Sequence, residues 1–350
     1  MGRDAPGTRA APTIGAMPEL PASFRAFVVD KPERGVFTRG LRERTPDDLP
    51  EGEVTVRVDW SSVNYKDGLA GREDGKILRG LPRVPGIDLA GVVIDSDAAD
   101  TPVGSEVLVN GYDLGTARDG GYSEVQRVPA GWIVPLPAGL SAREAMAIGT
   151  AGFTAAMGVA ALEDRGLRPG DGPVLVTGAS GGLGTIAVDL LAKQGHEVWA
   201  VTGKDDERAR LADLGAAGFL TREEASGPGR PLDSARWAGA IDAVGAPTLP
   251  YILRTLRIGA AVAACGNAGG PALESTVFPF ILRGVALLGM DSVAMPIDDR
   301  RALWGRLATD LRPTSLGQAL TEVTLDDLEG ALDQVAAGEA RGRWIVRVSG

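Results

Sequence analysis

Along the first third of the chain, apolar and polar positions alternate with a period near two. The stretches Phe24 to Val29, Glu53 to Val58, Gly91 to Asp95, Glu106 to Asn110 and Gly121 to Val128 are therefore predicted as strands. Turn residues separate them, notably Pro85-Gly86 and Pro102-Val103-Gly104, and short strands at that spacing predict a small all-β barrel. After Pro135-Leu136-Pro137 the period lengthens to that of a helix. Ser141 with Glu144 three residues on reads as a capping box for a helix over Ala142 to Ile148, and Thr150 to Glu163 reads as a second helix. Continuous apolar runs follow at Val174, Gly239 to Val244, Ala260 to Cys265 and Ala286 to Met290, the pattern of strands buried on both faces of a parallel sheet. Beyond Pro296, helices over Arg300 to Asp310 and Leu325 to Ala337 precede a last strand, Trp344 to Val348, that most simply returns to the first domain. The reading is thus a doubly wound α/β domain over 146–295 inserted in a β-barrel domain made of 23–145 and 296–350. Residues 1–22, rich in Ala, Pro, Gly and Arg without periodicity, are expected to be a disordered extension.

The most specific local signal begins at Val174. The apolar Val174-Leu175-Val176-Thr177 empties into Gly178-Ala179-Ser180-Gly181-Gly182-Leu183-Gly184, followed by a helix over Thr185 to Gln194, a stop at Gly195 and a strand over Glu197 to Val201. From Ala179 the spacing is A-x-G-x-x-G, the Rossmann dinucleotide fingerprint with Ala in first place. Gly181 lets backbone approach a pyrophosphate, and Gly184 lets helix and strand meet closely. Ser180, Gly181, Gly182, Leu183 and Gly184 are candidate cofactor-binding residues, with the diphosphate on the helix N-terminus. In NAD-binding versions an acidic residue about 20 residues further on takes the ribose 2′-hydroxyl. This chain has Thr202-Gly203-Lys204 there, a hydroxyl and an ammonium that attract a 2′-phosphate, so the expected cofactor is NADPH.

Composition narrows the function classes. The 350 residues carry 46 acidic against 36 basic side chains, a formal charge of −10, with no basic run; nucleic acid is not expected as a partner. No span of about 20 apolar residues and no signal-like leader is read, so no membrane is expected and the location is taken as cytoplasmic. One cysteine, Cys265, and one histidine, His196, cannot supply the three protein ligands of catalytic zinc, so no metal is expected. His196 follows a helix-ending glycine and is read as a surface or capping residue.

Five longer segments carry a resemblance. Ser61-Ser62-Val63-Asn64-Tyr65-Lys66-Asp67-Gly68, Val84 to Gly91, Ile148 to Ala155, Trp237-Ala238-Gly239-Ala240-Ile241-Asp242 and Pro279 to Gly284 resemble the medium-chain dehydrogenase/reductases, within them the zinc-free quinone oxidoreductase-like branch and its YhdH/AcuI family of acrylyl-CoA reductases. The resemblance runs from about Phe24 to Val348. It implies a GroES-like barrel around the cofactor domain, a homodimer, and NADPH-dependent reduction of an activated carbon–carbon double bond, typically an acryloyl thioester. Zinc-dependent members have Cys near the Asn64 position and His at the Ile87 position. In the loop from Gly111 to Gly121, related proteins carry Trp and His and this chain carries neither, which leaves the acyl group open.

Such a reduction needs a hydride at the β-carbon, donors for the developing enolate oxygen and a proton for the α-carbon. The resemblance places Asn64, Thr150 and Thr154 near the nicotinamide, with Cys265, Gly266 and Asn267 after one strand and Gly289, Met290 and Asp291 after another, and it directs Arg343 to the pyrophosphate. Tyr65 is the expected proton donor or enolate hydrogen-bonder, unless it only packs and water supplies the proton. Asp67 and Asp88, with Lys66, read as groups of the catalytic centre or as a buried charge cluster shaping the loop. Arg283 is read either as a contact for a CoA phosphate or as the partner of an aspartate. Two other functions fit the same residues: a quinone or α,β-unsaturated ketone reductase, and a non-catalytic NADPH-binding protein.

Overall fold

The computed structural model describes residues 20–33, 35–317 and 320–349, so most of the extension expected over 1–22 lies outside the described residues. The first part of the chain forms β1 (Phe24–Glu33), β2 (Val36–Arg44), β3 (Val54–Val63), the short helix α1 (Tyr65–Ala70), β4 (Asp88–Ser96), β5 (Glu106–Asn110), β6 (Val125–Val128) and β7 (Val134–Pro135). β1 and β2 make an antiparallel hairpin, whereas β3 pairs with both β4 and β6 in the larger sheet. Sequence alternation missed β2: its residues are half-exposed and basic, and cross-strand pairing with β1, not an apolar face, holds it in place.

α2 (Ala142–Asp164) leads out of the barrel. Its start is capped as expected, with Glu144 N donating to Ser141 Oγ at 3.2 Å and Ser141 N donating to Glu144 Oε2 at 2.9 Å, a motif that contributes about 1 kcal/mol. The two helices predicted here are the halves of α2, which breaks at Gly149 (φ 51°, ψ −165°). Its 23 residues are together long and apolar enough to cross a bilayer, which the expectation of two shorter helices concealed; most of that surface is buried inside the protein. Met146, Ile148, Phe153, Val159 and Leu162 of α2 form one core with residues of both sheets, each buried side chain of this kind contributing about 1.5–3 kcal/mol.

The α/β part runs β8 (Val174–Val176), α3 (Gly182–Lys193), β9 (Val198–Val201), α4 (Arg208–Asp213), β10 (Ala216–Leu220), β11 (Trp237–Asp242), α5 (Thr248–Thr255), β12 (Leu256–Ala264), α6 (Phe278–Arg283) and β13 (Ala286–Gly289). All pairings are parallel, in the order β10-β9-β8-β11-β12-β13. From β8 the chain winds outward to β9 and β10, then returns to β11 and winds the other way. The carboxyl ends of β8 and β11 therefore flank the switch point, where such sheets open a ligand crevice.

α7 (Ile297–Ala308), β14 (Leu320–Thr324), α8 (Leu328–Ala336) and β15 (Arg343–Arg347) complete the chain. β15 pairs antiparallel with β3, as the apolar last strand predicts, and the unpredicted β14 adds to its outer edge. Arg300 of α7, fully buried, joins the two parts: it donates to the carbonyls of Asn110 at the end of β5 and of Ser292 and Val293 beyond β13, with its guanidinium 4.5 Å above the Tyr112 ring.

Candidate active site

Local sequence builds the crevice from three directions. α3 begins at the glycine turn, where a Cβ on Gly184 would lie 2.6 Å from Ala179 Cα; only glycine permits that approach of helix to strand. The turn therefore presents the free N–H groups of α3 to the crevice, and its residues fit a dinucleotide diphosphate. Ser180 and Thr202 meet through their hydroxyls at 3.2 Å, which joins the turn to the end of β9.

Beyond Thr202 the crevice is cationic. Lys204 Nζ donates to the carbonyls of Glu339 (3.2 Å) and Ala340 (3.0 Å), which leaves one ammonium hydrogen free. Burial, and then the nearby charges of Arg341 and Arg222, push its pKa down. Arg222, from the segment after β10, lies directly against Gly203, and Arg341 also pairs with Asp206 and Glu207. The sequence points to Thr202, Gly203 and Lys204 and gives no sign of Arg222 and Arg341. Neither sits at a fixed spacing from the glycines, so only the fold brings them here.

The opposite end is a buried polar knot. Asp88, at the start of β4, accepts from Thr150 Oγ1 (2.6 Å), Thr150 N (2.9 Å), Asn64 Nδ2 (2.8 Å) and the Ser62 hydroxyl. Asp67 on α1 accepts from Asn64 N (2.9 Å), Asn64 Nδ2 (3.1 Å) and Ile87 N (3.0 Å). Burial, aided by the charge of Asp88, pushes the Asp67 carboxyl up to about 7. Arg343 brings the only cation drawn into this knot among the described residues, and burial lowers its pKa although both carboxyls hold it up. The break in α2 makes the knot possible: a Cβ on Gly149 would meet Arg343 Nη2 at 2.5 Å and Asp88 Oδ2 at 2.8 Å. Beyond the break Asp88 caps the second half of α2, the role an N-cap side chain plays at an ordinary helix start.

Several expectations change here. Asn64 is 8 % exposed and turns its amide nitrogen inward onto the two carboxyls, so it anchors the loop and has no amide hydrogen to offer across the crevice. Thr154 donates back to the Thr150 carbonyl at 2.7 Å, and the Thr150 hydroxyl is taken by Asp88. Arg343 does lie beside Gly182, but its guanidinium points into the knot, onto the carbonyls of Ala147 and Met146 and onto Asn64 Oδ1. Tyr65 stands 42 % exposed at the head of α1, beside the knot. Arg283 does not belong to the site. It donates to the carbonyls of Arg254, Leu256 and Asp233, at the amino end of β12 and so at the opposite end of the sheet from the crevice, and it touches the Asp233 carbonyl, not a carboxylate.

Gly266 and Asn267 are exposed beyond β12, and Cys265 between them and the strand has its thiol pKa pushed up by burial. Gly289 ends β13, and Asp291 accepts from the backbone of Val293 and Ala294, which fixes the turn after it. His196, read as a surface or capping residue, is only 7 % exposed, its backbone N–H closes the end of α3 on the Leu191 carbonyl at 3.0 Å, and burial lowers its pKa. Among the described residues no group of three His, Cys, Asp or Glu side chains is placed to hold a metal. The knot does not fit zinc: the Asn64 amide already bridges its two carboxyls, and no thiolate or imidazole is there.

The family model for the Alcohol dehydrogenase GroES-like domain matches residues 50–138, and that for Zinc-binding dehydrogenase matches 182–309. The chain is 48 % identical over 328 residues to Acrylyl-CoA reductase AcuI of Ruegeria pomeroyi, covering 93 % of this chain and 99 % of that protein. Its fold matches the yhdH oxidoreductase of Salmonella enterica in complex with NADP, with a TM-score of 0.90, 47 % identity and coverage of 93 % and 100 % of the two chains. It matches Bacillus subtilis yhfP with NAD bound equally well, with a TM-score of 0.90, 44 % identity and coverage of 93 % and 99 %. The chain belongs to the medium-chain dehydrogenase/reductases, in the branch that holds the YhdH/AcuI acrylyl-CoA reductases.

Proposed function

We propose that this protein is an NADPH-dependent, zinc-independent reductase of the activated double bond of a small enoyl thioester of the acryloyl-CoA type. The observation that carries the reading is the pairing of a diphosphate cradle at α3 with the Lys204 and Arg222 cations just beyond β9, in a chain nearly half identical to an acrylyl-CoA reductase. The turn residues Ser180 to Gly184 would hold the diphosphate and Lys204 and Arg222 the 2′-phosphate, while Thr202, buried with its hydroxyl between Ser180 Oγ and Lys204 N, braces the two. When bound, the dinucleotide supplies the hydride. Asp88 and Asn64 fix Thr150 and the α1 loop, and Tyr65 at the head of α1 positions its phenol for the substrate oxygen or α-carbon. We divide the chain accordingly into a barrel domain of 23–145 and 296–350 and a cofactor domain of 146–295, working in the cytoplasm.

A homodimer belongs to the same reading. β13 is the edge of the six-stranded sheet, and Ile258, Val277, Ile281 and Leu282 beside it are 61–82 % exposed, an apolar surface that a second copy covers by a two-fold contact. Light scattering at micromolar concentration checks it; a monomer refutes it.

The decisive assay follows NADPH consumption with acryloyl-CoA in the presence of a chelator, beside NADH and small quinones. NADPH oxidation with acryloyl-CoA that survives chelation is the expected outcome. Faster turnover with quinones sinks the thioester reading, and Tyr65→Phe with unchanged turnover removes that residue from the chemistry.

A further inference from the structure

The segment Trp237 to Asp242 is β11, and its last residue has no part in the site described so far. Asp242 is fully buried, and its partners are all neutral. Oδ1 accepts from the hydroxyls of Thr177 and Thr248 (2.9 Å) and from Val244 N (3.4 Å), and Oδ2 accepts from Gly245 N at 2.9 Å. A buried carboxylate without a cation persists only where several donors replace its water shell, and here four do.

The position of these donors gives them meaning. Thr177 is the residue between β8 and the glycine turn, so its hydroxyl joins the carboxyl end of β8 to that of β11 where the two strands part to open the crevice. Thr177 Oγ1 also accepts from Ala243 N at 3.1 Å. The turn held by Asp242 then meets the turn after β12: Gly269 N donates to the Val244 carbonyl at 2.8 Å, Ala246 N to the Gly270 carbonyl at 3.1 Å, and Cys265 N to the Asp242 carbonyl at 2.7 Å. Val244 Cγ2 in turn lies 3.3 Å from the Cβ position of Gly178, the first residue of the glycine turn.

We propose that Asp242 is a positioning residue for the cofactor: a staple across the switch point that sets the glycine turn against the wall formed by 243–246 and 265–270. It touches no substrate and acts through Thr177 and the 243–245 turn. The inference rests on the cofactor reading above and not on the identity of the substrate.

Asp242→Asn tests it. An amide nitrogen in the Oδ2 place would face the fixed Gly245 N–H, a donor against a donor, and in the Oδ1 place it would forfeit the bonds from Val244 N and from the Thr177 and Thr248 hydroxyls. NADPH titration by fluorescence is expected to show the dissociation constant raised about tenfold, with the KM for NADPH rising in step and kcat at saturating NADPH within about threefold of the native value. Thr177→Val is expected to raise the dissociation constant several-fold, and Thr177→Ser, which keeps the hydroxyl, to restore it to within about twofold. These two variants decide the matter should Asp242→Asn fail to fold. Native NADPH affinity in Asp242→Asn or in Thr177→Val overturns the proposal, as does a loss confined to kcat. Native protein that binds no NADPH sinks the cofactor reading instead, so the two failures are distinct.

Discussion

The two ends of the crevice are built on opposite plans. At the Asp88 end, carboxyls, amide, hydroxyls and one guanidinium are buried and saturate one another, so geometry is held by bonds that water cannot replace. At the Lys204 end, cations from three separate stretches of chain converge with donors to spare, and Lys204 is tied only to two backbone carbonyls. The difference teaches that one end is finished before any ligand arrives, whereas the other is completed by an anion. Substitutions should accordingly damage stability and turnover together at the first end, and affinity alone at the second.

The strongest break comes at Asp88. Asp88→Ala leaves Arg343 buried with less compensation and strips the cap from the second half of α2, so unfolding free energy by urea titration should fall by about 3–5 kcal/mol and turnover should drop with it. Next come Lys204→Ala and Arg222→Ala, each expected to weaken NADPH binding about five- to tenfold while leaving NADH affinity and melting temperature nearly unchanged. Equal losses for both coenzymes would dissolve the contrast. A subtler effect belongs to Asp67. Its carboxyl holds a proton up to about pH 7 in the folded protein, whereas an unfolded aspartate releases it near pH 4. The folded state therefore binds an extra proton across that window, and the stability this contributes is complete below about pH 4 and lost as pH rises toward 7. Asp67→Asn should flatten the fall of melting temperature between about pH 5 and 7.5. The smallest effect is expected at Arg283, where Arg283→Ala should leave kcat and both KM values unchanged and cost about 1–2 kcal/mol of stability, since only carbonyls at the far end of the sheet lose a donor.

How much of this was legible beforehand follows the same division. The glycine turn, the Thr202-Lys204 end of β9 and the Ser141 cap are local patterns whose residue types have a direct physical reason, and each stands where the sequence places it. Edge strands β2 and β14 were not legible, because partners far along the chain hold them and no apolar face marks them. Arg222 was invisible for the same reason. Asn64 stands out in the sequence as a candidate, but nothing in a linear string says which way an amide turns. Arg283 misled because an arginine ending an apolar helix resembles an anion contact, although here it satisfies carbonyls where α5 gives way to β12.

Gly149 has a mechanical consequence for how the enzyme exchanges its ligands. A helix that crosses from one lobe to the other would ordinarily serve as an axle, but this one is sheared in two and its far half is gripped by a carboxylate rooted in the opposite lobe. Swivelling the lobes apart means prising both the Thr150 hydroxyl and its backbone N–H off Asp88, so any widening of the cleft must break that grip.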